Sequence, residues 1–153
     1  MRKIVYEQRP YFLPWVAAII DRAPYDDRAR TIAVVDVLPD GSEETLAVVV
    51  FTNWSSLKHC EMDIASNGNA NWCSRGFVCA VYDYVFNHAG MNRINLLVEV
   101  GNTAAINMHT KLDHVQEGVL REWFGPGRDA IIFGFTRKDF EASRIHKRHK
   151  RQG

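Results

Sequence analysis

The chain reads as an α/β protein built on a mixed sheet, and three observations carry that reading. Segments of helical and strand periodicity alternate along its length, no internal repeat is present, and no linker divides it. At 153 residues it is one domain, large enough to bury about two-thirds of its unfolded surface. Hydrophobic residues at 46% and charged residues at 24% are ordinary for a soluble globular protein.

Each element follows from its local pattern. Residues 11–23, YFLPWVAAIIDRA, carry apolar side chains at helical spacing around Pro14, a good first-turn residue. Residues 30–54 give two strands of Val, Ile and Ala around a turn at Asp40-Gly41. Residues 57–65 alternate, with His59, Glu61 and Asp63 on one face and Cys60, Met62 and Ile64 on the other. A helix is expected from Ser74 to Ala89, closed by Gly90. RINLLVEV (93–100) is the most apolar strand, and Asn102 caps a helix over 103–112. Two last strands, HVQEGVLREWF and DAIIFGFTRKDF, flank Gly125-Pro126-Gly127-Arg128.

Charge and cysteine usage narrow the setting. Cys60, Cys73 and Cys79 are odd in number and form no CxxC pair, which suits a reducing, cytoplasmic compartment. No apolar run approaches the roughly 20 residues of a membrane span, so no membrane partner is expected. The basic start Met1-Arg2-Lys3 is soon interrupted by Glu7, Arg9 and Pro10, which argues against a secretory signal. The formal net charge is +1, yet the last ten residues hold five Lys/Arg and no acid, leaving −4 on residues 1–143. Residues 144–153 are therefore expected to be a basic, solvated and disordered tail; the other reading of the same charge run is a contact for nucleic acid or an acidic surface. His59, Cys60, His146 and His149 give no tetrahedral metal spacing, so no metal is expected.

The stretch Cys73-Ser74-Arg75-Gly76-Phe77-Val78 places a glycine and a cation where a helix begins. A helix start leaves four backbone N–H groups without internal partners and carries about half a positive charge. That is the chemistry of an anion cradle, although neither a GxxxxGK[ST] nor a GxGxxG loop is present.

Trp72, Arg75-Gly76-Phe77, Tyr84-Val85-Phe86, Arg93-Ile94, Asn102, Ala105, Lys111-Leu112, Glu117-Gly118, Arg121 and Asp129 occur in that order. In this order and spacing, residues 57–135 resemble the GCN5-related N-acetyltransferases, most of all the branch acting on ribosomal-protein N-termini and related amines. The resemblance implies a sheet of about six or seven strands, splayed in the middle and flanked by helices, over residues 1–143. It implies acetyl-CoA as co-substrate, its pyrophosphate held by Cys73, Ser74, Arg75, Gly76, Phe77 and Val78, with Asn102 a further contact. Departures stand at Cys73, where Gln or Arg is usual, at Val78, where Gly or Ala is usual, and at Asp113-His114, where Gly-Phe is usual.

Acetyl transfer to a primary amine needs a base for the amine proton and a donor for the departing thiolate. Glu61 matches a carboxylate that this branch carries on the corresponding strand, with Asp63 beside it. Many members place a Tyr seven residues after the matching Asn; here that position is His109, whose ordinary pKa near 6.5 suits a donor. The expected activity is direct attack in a ternary complex, with a protein N-terminus or Lys as the favoured acceptor and a small amine as the other. Trp54, Trp72, Trp123 and Phe124 are core aromatics or the lining of an acceptor groove. The second reading is a binding or regulatory protein that keeps the fold without the reaction, such as a virion or host-interaction component. Oligomeric state is not legible in the sequence.

Overall fold

The computed structural model describes residues 1–152, without the side chains of Ala70, His149 and Gln152. The His146/His149 pairing considered above thus lies partly outside the described residues.

Seven strands form one sheet in the order β1-β2-β3-β4-β5-β7-β6. They are β1 (Arg2–Val5), β2 (Arg30–Val37), β3 (Glu43–Thr52), β4 (His59–Ser66), β5 (Arg93–Glu99), β6 (Val115–Leu120) and β7 (Ala130–Thr136). All neighbours pair antiparallel except β4 and β5, which run parallel. A parallel pair requires a long crossover. Here it is α2 (Arg75–Tyr82), which widens into a π-helical turn over Asp83–His88.

Helices cover both faces, and the apolar residues divide accordingly. On one face α1 (Phe12–Ile20) buries Phe12 and Val16 against Ala33, Val35, Val48, Val50 and Ala65. On the other, α2 and the π-helical turn bury Phe77, Val81, Tyr82, Val85 and Phe86 against Val49, Phe51, Met62, Leu96 and Phe135. Strand β3 is buried from Leu46 to Thr52, as a strand covered on both faces should be.

Three elements differ from the sequence reading. Strand β1 is only four residues long, too short for a periodic signal, yet pairs in register with Ala33–Asp36 of β2. Residues 137–142 leave the last strand as helix α4 (Arg137–Ala142), because Thr136 and Asp139 form a reciprocal capping box. The C-terminal charge run is helix α5 (Arg144–Gln152) instead of a solvated tail, with Ile145 packed against the main core. A single apolar anchor beside Phe140, whose ring meets His146 edge-on, gives the run a face to bury. Among the described residues no helix is long and apolar enough to cross a membrane.

Phe51 sits at the centre of the larger core, fully buried and in ring contact with Trp54 and Tyr84. Phe51→Ala is expected to cost about 3–5 kcal/mol, read as a lowered midpoint in urea unfolding; a loss under ~1 kcal/mol would contradict this packing.

Candidate active site

Strands β4 and β5 share only three paired positions, His59 with Arg93, Cys60 with Ile94 and Glu61 with Asn95. Beyond Glu61 and Asn95 they part. A cleft of about 750 Å³ opens there, lined by β4, β5, the end of α1, α3 (Thr103–Lys111) and the loop after β6. Backbone groups on the parted edges have no strand partner, so an extended ligand could use them.

Glu61 and Asp63 both line this cleft, but their surroundings differ. Asp63 accepts hydrogen bonds from Arg22 Nη1 at 3.0 Å and from the Tyr25 hydroxyl, with the Arg22 guanidinium stacked 3.7 Å over the Tyr25 ring. Burial and the Asp63 charge push the Tyr25 hydroxyl up, so it stays a donor. Glu61 accepts one side-chain hydrogen bond, from Asn53 Nδ2 at 2.8 Å, and has no cationic partner among the described residues. Asp63 is thus neutralised in place, while Glu61 keeps lone pairs for a proton.

The helix mouth is more occupied than the sequence reading requires. Ser74 N–H donates to Trp72 O at 2.9 Å, and Val78 N–H donates to Ser74 O at 3.0 Å. The Ser74 hydroxyl caps α2 by accepting from Phe77 N–H at 3.2 Å. Three of the amides expected to face a diphosphate, those of Ser74, Phe77 and Val78, therefore already have partners within the protein. Phe77 and Val78 send their side chains into the core, and Cys73 packs half-buried beside it. Gly76 is exposed, and a Cβ built on it meets nothing within 4 Å, so the space before it is open. None of residues 73–78 lines the cleft, whereas Asn102 does. Asn102 also caps α3, its Oδ1 accepting from Ala105 N–H at 3.2 Å.

His109 lines the cleft but is buried, which pulls its pKa down to about 4. The imidazole is neutral at physiological pH, so the donor expected from an ordinary pKa is corrected: His109 is not an imidazolium acid here. Its Nδ1 lies 3.0 Å from Nδ1 of His114, and His114 Nε2 is hydrogen-bonded to the Tyr82 hydroxyl. In the sequence His114 stood out only as part of a departure from the family pattern, and Tyr82 carried no signal. The connection is made by the end of α3. Asp113 takes a φ of 64°, its N–H donates to Thr110 O, and His114 N–H donates to His109 O at 3.0 Å. This Schellman turn folds His114 back onto His109. A left-handed position favours glycine, which accounts for the usual Gly at this point in the resembling family.

Several residues that carried the resemblance have structural work. Arg93 pairs with Glu117 across β7, and a Cβ at Gly134 would fall on the Glu117 carboxylate. Asp129 accepts from Glu122 N–H at 2.8 Å, shaping the loop that carries Trp123 and Phe124 into the cleft wall. Trp72 is buried, and Trp54 packs at the core edge with its indole N–H on Arg28 O. All three cysteines are free; burial pushes Cys60 up to about 12, far from a nucleophilic thiolate. Among the described residues no group of three His, Cys, Asp or Glu side chains is placed to hold a metal.

No protein-family model and no curated protein sequence matches the chain. Solved structures do. A spermidine N-acetyltransferase SpeG chimera from Vibrio cholerae and hSSAT superposes with a TM-score of 0.71 at 18% identity, covering 91% of this chain and 98% of its own. SpeG from Vibrio cholerae in complex with CoA and spermine gives 0.71 at 16% identity, with 91% and 97% covered. The dodecameric form of spermidine N-acetyltransferase from the same organism gives 0.70 at 17% identity, with 94% and 96% covered. The fold is therefore that of the GCN5-related N-acetyltransferases; the similarity does not single out the ribosomal-protein branch.

The buried imidazoles make stability depend on pH. Desolvation lowers His109 to about 4 and His114 to about 3, the latter also through His109, against 6.5 for an exposed imidazole. Between those limits the unfolded chain binds more protons than the folded one, so stability rises with pH. The contribution is complete above 6.5 and is lost as pH falls toward 4. Urea unfolding is expected to show stability falling from about pH 7 to about pH 5, above the ordinary glutamate value of 4.5, and His114→Phe should flatten that slope. An unchanged slope in the variant would contradict the assignment.

Proposed function

We propose that the chain is an acetyl-CoA-dependent N-acetyltransferase acting on a cationic primary amine by direct attack in a ternary complex. The observation that carries this reading is the cleft at the parting of β4 and β5, with Glu61 on its wall and in no ion pair among the described residues. The neighbours of like fold named above include one crystallised with CoA and spermine, which supports the same co-substrate and acceptor class here.

Glu61, directly or through a water, takes a proton from the ammonium group and leaves a neutral amine. The amine nitrogen attacks the thioester carbonyl carbon, the C–S bond breaks, and the sulfur leaves with the electron pair. The nitrogen then loses its second proton, the sulfur gains one, and Glu61 releases its own to solvent. The open face of Gly76 and the amide of Asn102 are the contacts offered to CoA; the engaged amides of Ser74, Phe77 and Val78 are not. The acetamide nitrogen ends uncharged, so its hold on the acidic cleft weakens and product release follows. With free thiols at Cys60, Cys73 and Cys79, the cytoplasm is the compartment that fits.

Cleft charge favours a cationic acceptor. Asp63 is paired with Arg22 and Glu99 with Arg128, while the carboxylates of Asp21 and Glu61 form no ion pair among the described residues. A protein N-terminus or Lys is the acceptor that the ribosomal-protein-like motifs favour; a polyamine is the one the neighbours' ligands favour. A second reading, a protein that binds its ligand without turnover, draws on the three occupied amides at the α2 mouth.

The test is free CoA released from acetyl-CoA with a panel of peptide N-termini, lysine peptides and polyamines. Wild type is expected to turn over at least one, and Glu61→Gln to lower kcat on the order of 10²-fold while CoA affinity by calorimetry is unchanged. CoA binding without turnover on any amine supports the second reading, and absence of CoA binding removes both.

A further inference from the structure

We infer that Tyr82 and His114 are positioning residues that fix His109 with its single ring proton on Nε2, presenting a hydrogen-bond donor to the cleft. The inference rests on the acetyl-transfer reading for its purpose, but not for its geometry.

The argument starts from the Tyr82 hydroxyl. Tyr82 is fully buried, and among the described residues the one hydrogen-bond partner of its hydroxyl is His114 Nε2. A buried O–H must donate, because an unmade hydrogen bond in the interior costs about 1–3 kcal/mol. Tyr82 therefore donates, and His114 Nε2 accepts. Burial opposes tyrosinate and imidazolium alike, so both rings stay neutral and each carries one proton. His114 then carries its proton on Nδ1. That N–H points at His109 Nδ1, 3.0 Å away, which must accept. The only place left for the His109 proton is Nε2.

Nε2 of His109 has no hydrogen-bond partner among the described residues, yet none of their buried side-chain nitrogens or oxygens lacks a partner. Nε2 must then reach open space, and the space His109 lines is the cleft. Ring contacts hold the pair in this orientation: His109 and His114 meet edge to edge through their Nδ1 atoms with centroids 5.1 Å apart, with Phe133 5.3 Å from the first ring and Phe135 4.8 Å from the second. A neutral N–H aimed into a cleft stabilises charge as it develops on the thioester oxygen or the departing sulfur. No proton travels along the chain of three, since that would end in a buried tyrosinate.

Nitrogen-15 NMR of the histidine-labelled, full-length protein at neutral pH reads the arrangement directly. A proton on His114 Nδ1, a coupling from it across the hydrogen bond to a bare His109 Nδ1, and a protonated His109 Nε2 are expected. A proton on His109 Nδ1 overturns the inference, whatever the turnover. In the panel assay, His114→Phe keeps an aromatic ring beside Phe135 and removes the donor, so kcat should fall roughly tenfold with KM for acetyl-CoA within about twofold. His114→Asn, whose amide N–H can replace the Nδ1 donor, should recover most of that loss. Full kcat in His114→Phe, or equal losses in the Phe and Asn variants, also overturns it. The expected NMR pattern in a protein that acetylates nothing supports the arrangement and sinks the acetyl-transfer reading alone.

Discussion

The parting of β4 from β5 after Glu61 and Asn95 is the constraint on which the rest of the molecule depends. A sheet interrupted in its middle loses ladder hydrogen bonds where burial makes them costly. The two halves survive because each has its own antiparallel ladder, β1 to β4 on one side and β5, β7 and β6 on the other. They are held to each other by one apolar cluster, in which Met62 and Ile94 belong to opposite halves and Phe77 and Val81 to the helix across them. The crossover α2 is therefore both the link between the halves and the clamp over the gap.

Much of this was legible in the sequence. Alternation at 57–65, the hairpin signal at Asp40-Gly41 and the Asn102 cap each gave an element that the structure contains. These signals are local, and local signals survive in one sequence. The missed elements are those set by distant partners. Strand β1 exists because β2 offers an edge, and α5 because α2 and α4 offer Ile145 a surface. Trp123 and Phe124 read as strand continuation, yet Glu122 at a φ of 57° turns the chain before them, and they enter the cleft wall from a loop.

The helix mouth illustrates a conflict that composition hides. Ser74 is a good N-cap because its hydroxyl satisfies an orphan amide of α2. The same bond withdraws that amide from an incoming anion. A sequence with Ser before Arg-Gly therefore advertises both a cap and a cradle, and only geometry shows which amides remain. Gly76 retains an open approach, so any diphosphate contact narrows to fewer groups than the six-residue stretch suggests.

In the sequence the Asp113-His114 pair is only a departure from Gly-Phe, because nothing local ties it to His109. His109 and His114 are five apart, a spacing that in a continuing helix would leave them off a common face. The helix does not continue. Asp113 turns left-handed, the backbone of His114 bonds to that of His109, and the two rings meet through their Nδ1 atoms. One substitution at a helix end thereby changes the meaning of a residue a turn earlier: a neutral histidine on its own has two tautomers, but one anchored through His114 to the buried Tyr82 hydroxyl has a single arrangement that leaves no polar group unmatched. The feature that departs from the expected motif is thus the one that orients the ring beside the cleft.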